Sequence, residues 1–552
     1  MSPFPNLRLL GLFGVFSLLR LLRPLRLLFP PLAVLSILSA PPLFSDTLRL
    51  IYPEAPKSLD PHHFPPDPNA YPVVMNSYRR LFDLEAGSSN LESAASVART
   101  YRVSDDGLMY TVILREDESF ADGSPVNPEA VLFSFDRLMA SEAGKAFFPY
   151  LRYLRIDGPY TLALILDRPW PPFAASLSLP QASIISPSLS GLPRNHLKDH
   201  TLGSGRYVLS SFEADKLVLS KREEAASSSS PDQVEFLYET DPAKRISLYR
   251  EKDAKIALLE PPVAEAIPQG AELRRIPTWT TRYLAFNLER DYVKNPEARE
   301  ALALVAEHSF SSMPLRSQGL LPRGFQGAPA SPPAGDLRAI TAEERAREIL
   351  DRIGRPRGPL TLVYRPEEKN AYRDAVYLSE RFQAAGVPVN AVPLKGSQGN
   401  GIAEKGDYDL YLGTRHPEIP SSEMWLGKFL DSRAGTLANP SRYKNPQADR
   451  QIDGFDASST RPERENRVKT LAALAGRERP YVLLYQEELL FLADRTLSDV
   501  SPHPMFPLSW PLDKVNLNPF RKSVPEGPKP PPAEPGPEPV RDFDEPVAEF
   551  YE

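Results

Sequence analysis

The chain has 552 residues, of which 41% are hydrophobic and 25% charged, with a net charge of −6. That length predicts two or three lobes rather than one core, and the acidic balance excludes a nucleic-acid surface, which needs clustered Lys and Arg. There is no cysteine, which excludes disulfides, zinc–thiolate and iron–sulfur centres, thiol nucleophiles and the bacterial lipoprotein anchor.

In chain order, residues 1–45 carry no acidic side chain but four arginines (Arg8, Arg20, Arg23 and Arg26), with an apolar run from Leu27 to Leu38 broken by Pro30 and Pro31. This order reads as an export signal or a retained N-terminal anchor, and the run is too short for a comfortable transmembrane helix. Leu48, Leu50 and Tyr52 then alternate as a half-buried strand. Tyr101–Val103 and Met109–Leu114 flank Asp105-Asp106-Gly107 as a hairpin, and Asp122-Gly123 makes a second reversal. Asn127 is placed to cap a helix that has Pro128 at its first position and Val131, Phe135 and Leu138 on one face. Residues 161–166 (TLALIL) read as a buried strand. Past Gly203-Ser204-Gly205, Tyr207–Ser211 is expected to pair with Leu217–Lys221, and the run EEAASSSS reads as a surface loop.

Residues 231–259 alternate as a strand and then turn helical, while residues 279–307 give a strand ending at Phe286-Asn287 and a helix from about Pro296. Helical spacing recurs at 343–353 and 371–385, with strands at Leu360–Tyr364, Val387–Val392, Asp407–Leu412 and from Pro480 onward, as in an α/β lobe with a mainly parallel sheet. Gly396–Gly401 lacks P-loop and Rossmann spacing and reads as a flexible loop. After Val524 the chain is a Pro- and Glu-rich tail that cannot form a core.

As a string, residues 91–138, with VSDDGLMYTVILRED followed by FADGSPVNPEAVLFSFDRL, resemble the family 5 extracellular solute-binding proteins. These are the oligopeptide, dipeptide and nickel receptors of ABC importers. The opening TLRLIYPEAPKSLDPHH, the hairpin after Gly203-Ser204-Gly205 (with Arg206 where proline is usual), the strand ending in Phe286-Asn287 and the strand from Pro480 extend the resemblance over about Asp46 to Leu517. It implies an α/β fold of the periplasmic binding protein type: two lobes with mixed sheets and a hinge, the first lobe enlarged by an extra subdomain. The implied boundaries are 46–75, 200–278 and 482–520 for the core of lobe I, 76–199 for the extra subdomain, 279–481 for lobe II and 525–552 for the tail.

The implied function is capture of a peptide or similar small solute between the lobes. Delivery is then to ABC transporter permease subunits in the inner membrane, by an exported monomer without catalysis, cofactor, metal or nucleic acid. A receptor for a nickel chelate or a sugar, or a signalling or scaffold protein on the same fold, stands as the alternative. An exported hydrolase is a third class, although no HExxH or GxSxG motif occurs.

The segment GTRHPEIPSSEMWLGKF, residues 413–429, is the most informative about a site. Peptide-binding relatives read Gly-Trp-x-x-Asp-Tyr here, and the resemblance implies that this Asp pairs with the ligand's α-amino group. Gly413 is kept, Thr414 replaces the Trp, and Pro417-Glu418 stands where Asp-Tyr would be. Either Glu418 supplies the carboxylate one position later, or the amino anchor is gone. Arg415 and His416 add donors suited to a carboxylate or phosphate, and Arg415 and Glu418 are expected to face the cleft as opposite charges. Trp279, Tyr283 and Trp425 are the aromatics expected either against a ligand or in the core. His62, beside His63, follows the Leu-Asp-Pro turn near the expected cleft. His196 and His200, spaced i,i+4, suit a metal pair or a solvent-facing one.

Overall fold

The protein is described by a computed structural model covering residues 46–92, 96–193, 195–223, 230–260, 267–310, 319–328, 338–457, 460–497 and 501–517. The export segment, most of the Ser-rich run and the Pro-rich tail lie outside the described residues. Among the described residues sixteen strands follow in order, the first eight being β1 (Thr47–Tyr52), β2 (Asp83–Leu84), β3 (Leu91–Glu92), β4 (Ala98–Val103), β5 (Met109–Leu114), β6 (Leu151–Gly158), β7 (Thr161–Leu166) and β8 (Tyr207–Phe212). The second eight are β9 (Lys216–Lys221), β10 (Gln233–Tyr238), β11 (Ile256–Leu259), β12 (Ala271–Phe286), β13 (Leu360–Tyr364), β14 (Val389–Pro393), β15 (Leu410–Arg415) and β16 (Tyr481–Asp494).

Ten strands form one mixed sheet in the order β14-β13-β15-β12-β16-β11-β1-β10-β9-β8. Its two halves are the two lobes, and among the described strands only β12 and β16 run through both. In the first lobe, β1 lies parallel to β10 and β11, and Leu48, Leu50 and Tyr52 enter a core with Val234, Phe236, Leu217 and Trp510. In the second lobe, β13 lies parallel to β14 and β15. One face of that half packs Leu284, Phe286, Leu362 and Leu412 against the helices Pro296–Ser309, Arg338–Ile353 and Ala371–Ala384. The other face packs Tyr283, Ala285, Tyr411 and Leu483 against helices drawn from residues 396–478.

The extra subdomain of the first lobe is a four-stranded sheet, β4-β5-β7-β6. The expected hairpin is its first pair, with Val103 opposite Tyr110. Asn127 caps the helix Pro128–Met139 through its side chain and the Ala130 amide at 3.0 Å, and Val131, Phe135 and Leu138 are buried in the cluster that holds Val112, Leu114 and Leu164. Arg137 of this helix grips the Asp60 carboxylate of the first lobe with two hydrogen bonds, at 2.9 and 2.6 Å.

Two expectations change, and one open choice is decided. Gly396–Gly401 is no loop but the start of a helix, Gly396–Lys405. Gly399 is buried there, and a Cβ on it would sit 2.4 Å from the Leu394 backbone, so the glycine serves close approach rather than flexibility. The strand expected at Asp407–Leu412 is Leu410–Arg415, because its pairing with β12 continues to Thr281 opposite Arg415. Of the two readings for His196 and His200, the structure fits the solvent-facing pair, with the His200 side chain exposed. A short 3₁₀ turn, His196–Lys198, stacks their rings 4.1 Å apart with His200 against Asp199, and among the described residues no three His, Cys, Asp or Glu gather as a metal site.

Candidate functional site

The sheet directions decide where a site forms. β12 and β16 pair antiparallel from Ala271 opposite Asp494 to Ala285 opposite Tyr481, but the register shifts between Pro277 and Thr281. Pro277 faces Glu488 and Thr281 faces Gln486, so Thr278, Trp279 and Thr280 bulge opposite the single residue Glu487. A bulge in β12 where it pairs with β16, the other inter-lobe strand, is the natural bending point. β11 ends at Leu259 opposite Leu490, and β15 ends at Arg415 opposite Thr281. The carboxyl ends of the parallel strands of both lobes therefore run toward the bulge from opposite sides. Open α/β sheets bind ligands at such strand ends.

At the second-lobe rim, Arg365 follows β13. It is half-buried, with contacts to Asn400 Oδ1 at 3.4 Å and to the exposed Glu367 at 3.6 Å and a side-chain hydrogen bond with Tyr411. Arg415, the last residue of β15, lays its guanidinium 4.1 Å from the Phe429 ring centre and donates to the Ala438 carbonyl at 3.0 Å, while its Nη1 is buried without a hydrogen-bond partner. His416 is exposed, with Nδ1 3.2 Å from Thr280 Oγ1. Glu418 does not meet Arg415. It is 61% exposed and pairs with Lys428 at 2.5 Å, so the expected opposite charges across the cleft are not brought together. The turn after β15 instead sends Glu418 out toward the helix Ser422–Leu430, which carries Lys428.

The aromatics expected at a ligand lie beneath this rim. Trp279 is fully buried; its indole N–H donates to the Arg323 carbonyl at 3.0 Å, and its ring packs on Phe325 and edge-on to His503. Trp425 is buried and donates to the Leu320 carbonyl at 2.7 Å. Together they pin residues 320–325 to the core. Tyr283 is stacked with Tyr411 and edge-on to Phe429 and Tyr481, and burial raises its hydroxyl pKa well above the ordinary value. Gly413 beside it has no room for a side chain, since a Cβ would fall 2.5 Å from Tyr283 Oη. His62 is buried inside the first lobe, where burial and then Arg137 push its pKa down to about 3.

One group was missed by the sequence reading. Arg282, on the opposite face of β12 from Tyr283, is fully buried and meets Glu368 at 2.8 Å, Asp374 at 3.4 Å and Glu487 at 3.8 Å, and it also donates to the Lys369 carbonyl. Tyr485 donates to Asp374 in the same group. A charged residue within the buried-type strand WTTRYLAFN was the available signal.

With this geometry the relatives can be read. The family described as bacterial extracellular solute-binding proteins, family 5, middle part, matches residues 93–436. The chain belongs to that family. Among curated relatives, the probable D,D-dipeptide-binding periplasmic protein DdpA of Escherichia coli K12 is 24% identical over 500 residues, covering 84% of this chain and 93% of its own. The glutathione-binding protein GsiB of Escherichia coli O1:K1 is 24% identical over 455 residues, covering 77% and 86%. Among solved structures, the periplasmic murein tripeptide-binding protein MppA in its unliganded open form superposes with a TM-score of 0.74 at 19% identity, covering 86% of this chain and 97% of that one. A nickel ABC transporter protein from Bacillus halodurans does so at 0.73 and 20%, covering 85% and 100%. These likenesses establish the periplasmic binding protein fold, and family membership makes the chain a substrate-binding component of an ABC importer.

Proposed function

We propose that the protein captures a short peptide or a similar small solute between its lobes, outside the cytoplasm, and presents it as a monomer to the permease subunits of its importer. The observation that carries this reading is the convergence of the strand ends of both lobes on the bulge of β12 and β16. A hinge of two strands lets the lobes close over a solute and expel water from it. No helix among the described residues is long and apolar enough to cross a membrane. The binding of dipeptides, glutathione and a murein tripeptide named for the relatives supports a peptide-like ligand.

Within the cleft, Arg365 is the donor best placed for a ligand carboxylate. Asn400, Glu367 and the Tyr411 side chain engage only part of its five-donor fork, so it has hydrogen-bonding capacity to offer, in bidentate form if the ligand is a carboxylate. Arg415 and His416 add donors at the end of β15. Trp279, Tyr283 and Trp425 act from below by fixing the rim rather than by touching solute, and His62 and Glu418 take no direct part.

Calorimetry with trialanine, its N-acetylated and C-amidated forms, glutathione and D-alanyl-D-alanine tests this reading. Saturable heat that is lost on amidation is expected, and Arg365→Gln should weaken the best peptide about tenfold or more, the loss of a charged hydrogen bond of about 1.5–3 kcal/mol. Absence of heat with every peptide, together with a non-peptide solute copurifying from native expression, would replace peptide capture by another ligand class.

A further inference from the structure

The hinge bulge carries a buried charge group on one face of the sheet. Glu487 alone answers Thr278, Trp279 and Thr280. Its backbone is held there, since its carbonyl accepts from Thr278 Oγ1 at 3.0 Å, and the neighbouring Gln486 amide donates to the Thr278 carbonyl at 2.9 Å. Its carboxylate turns toward Arg282, and Oε1 is buried without a hydrogen-bond partner. A cavity of about 390 Å³ opens beside it, with Asp374, Tyr485, Glu487 and Glu488 in its wall.

The charges facing Glu487 come from every element around it. β12 brings Arg282 and also Arg275, but Arg275 is engaged by Glu488 at 3.4 Å. The segment after β13 brings Glu368 and the exposed Lys369, with Arg365 acting on Glu368. The helix Ala371–Ala384 brings Asp374, already bonded by Arg373 and by Tyr485 of β16. Around the one buried guanidinium there are thus three carboxylates, their side chains 19%, 2% and 16% exposed for Glu368, Asp374 and Glu487. Burial disfavours an ionised carboxylate that lacks its own cation.

We infer that bending of this hinge is coupled to a proton: Glu487 is protonated in the lobe arrangement seen here and ionises when movement at residues 278–280 admits water. Burial raises the carboxyls of Glu487 and of its neighbour Glu368 above the ordinary range, which is consistent with this geometry. The sign follows from linkage. An acid that holds its proton more tightly in this arrangement favours it fully below the ordinary Glu pKa, and that advantage is lost as pH rises through the raised value.

The coupling rests on the hinge reading but not on the identity of the solute, so it is testable without ligand. The absence of native cysteine allows paired spin labels at Ser247→Cys, exposed on the first-lobe helix Pro242–Glu251, and Glu380→Cys, exposed on the second-lobe helix Ala371–Ala384. Distances measured by pulsed electron spin resonance between about pH 4.5 and about pH 8 should show two populations. Their ratio should shift about tenfold for each unit by which the Glu487 pKa differs between arrangements. Glu487→Gln should hold the ratio constant over this range, Glu488→Gln should leave the pH response as in the parent, and Glu368→Gln should move the midpoint to lower pH by removing a neighbouring negative charge. A parent ratio that ignores pH, a response that survives Glu487→Gln, or a midpoint unmoved by Glu368→Gln would each overturn the inference. Loss of peptide binding with the pH response intact would count only against the peptide reading.

Discussion

Arg282 and Tyr283 are neighbours on β12, yet they enter two different interiors. Strand geometry sends successive side chains to opposite faces, so Arg282 joins Glu368, Asp374 and Glu487 while Tyr283 joins Tyr411, Phe429 and Tyr481. The aromatic face is held by area and contact, which are nonspecific in direction and indifferent to pH. The charged face is held by a few directed contacts whose strength depends on how dry the group stays. A hinge built this way has one side that tolerates small shifts and one side that registers them. Where a bend opens the charged side to water, the energy of that side changes and the aromatic side changes little.

The most severe way to break this contrast is to remove Arg282. Arg282→Ala leaves three buried or half-buried carboxylates without their guanidinium, and a loss of about 3–5 kcal/mol in unfolding free energy is expected near neutral pH. The deficit should shrink as pH falls, because protonation relieves the uncompensated charge on Glu368, whose carboxyl burial already raises. Denaturant titrations at two pH values give both numbers. A loss below about 1 kcal/mol, or one that grows in acid, would mean that the charged face contributes little to holding the hinge.

A second ion pair offers a sharper test of how much directed contacts contribute away from the hinge. Asp60 is pushed up by burial, but the hydrogen bonds and charge of Arg137 and the His62 amide outweigh this and hold its carboxyl below the usual range. A lowered carboxyl stabilises the fold fully above its ordinary pKa, and the contribution is lost as pH falls through the lowered value. Asp60→Asn should therefore cost about 1.5–3 kcal/mol at neutral pH, the scale of a hydrogen bond to a charged group, and almost nothing in acid. Melting temperatures of parent and variant that run parallel down to acid pH would show that Arg137 does not join the extra subdomain to the first lobe in the way its geometry suggests.

Much of the fold was legible because the informative signals were local. The turn Asp105-Asp106-Gly107, the Asn127 cap and the Tyr207–Ser211 hairpin each depend on residues a few positions apart, and all appear where expected. The signals that failed depend on distant partners. Gly396–Gly401 looked flexible because its contact, the Leu394 backbone packed against Gly399, is visible only once the helix lies on the core. Trp279 and Trp425 suited a ligand wall or a core equally by composition, and only their hydrogen bonds to the carbonyls of Arg323 and Leu320 show what they hold. Arg282 passed unnoticed because its three carboxylates come from separate stretches of chain, and alternation along β12 does not say which face is dry.

Glu418 is where the sequence reading and the geometry part most clearly, and it gives the smallest expected effect. It is mostly exposed and bound to Lys428, itself 37% exposed, and exposed pairs contribute about 0–1 kcal/mol because water screens them and the long side chains lose freedom in pairing. Glu418→Ala should leave the melting temperature almost unchanged. It should equally leave unchanged the ratio of affinities for free and N-acetylated trialanine, since a carboxylate occupied by Lys428 and turned outward has no amine to hold. An affinity ratio that collapses to one in Glu418→Ala would show that Glu418 abandons Lys428 when the lobes close. The rim would then use a carboxylate one position beyond the usual aspartate, with the amino end of the peptide on Glu418 and its carboxylate left for Arg365.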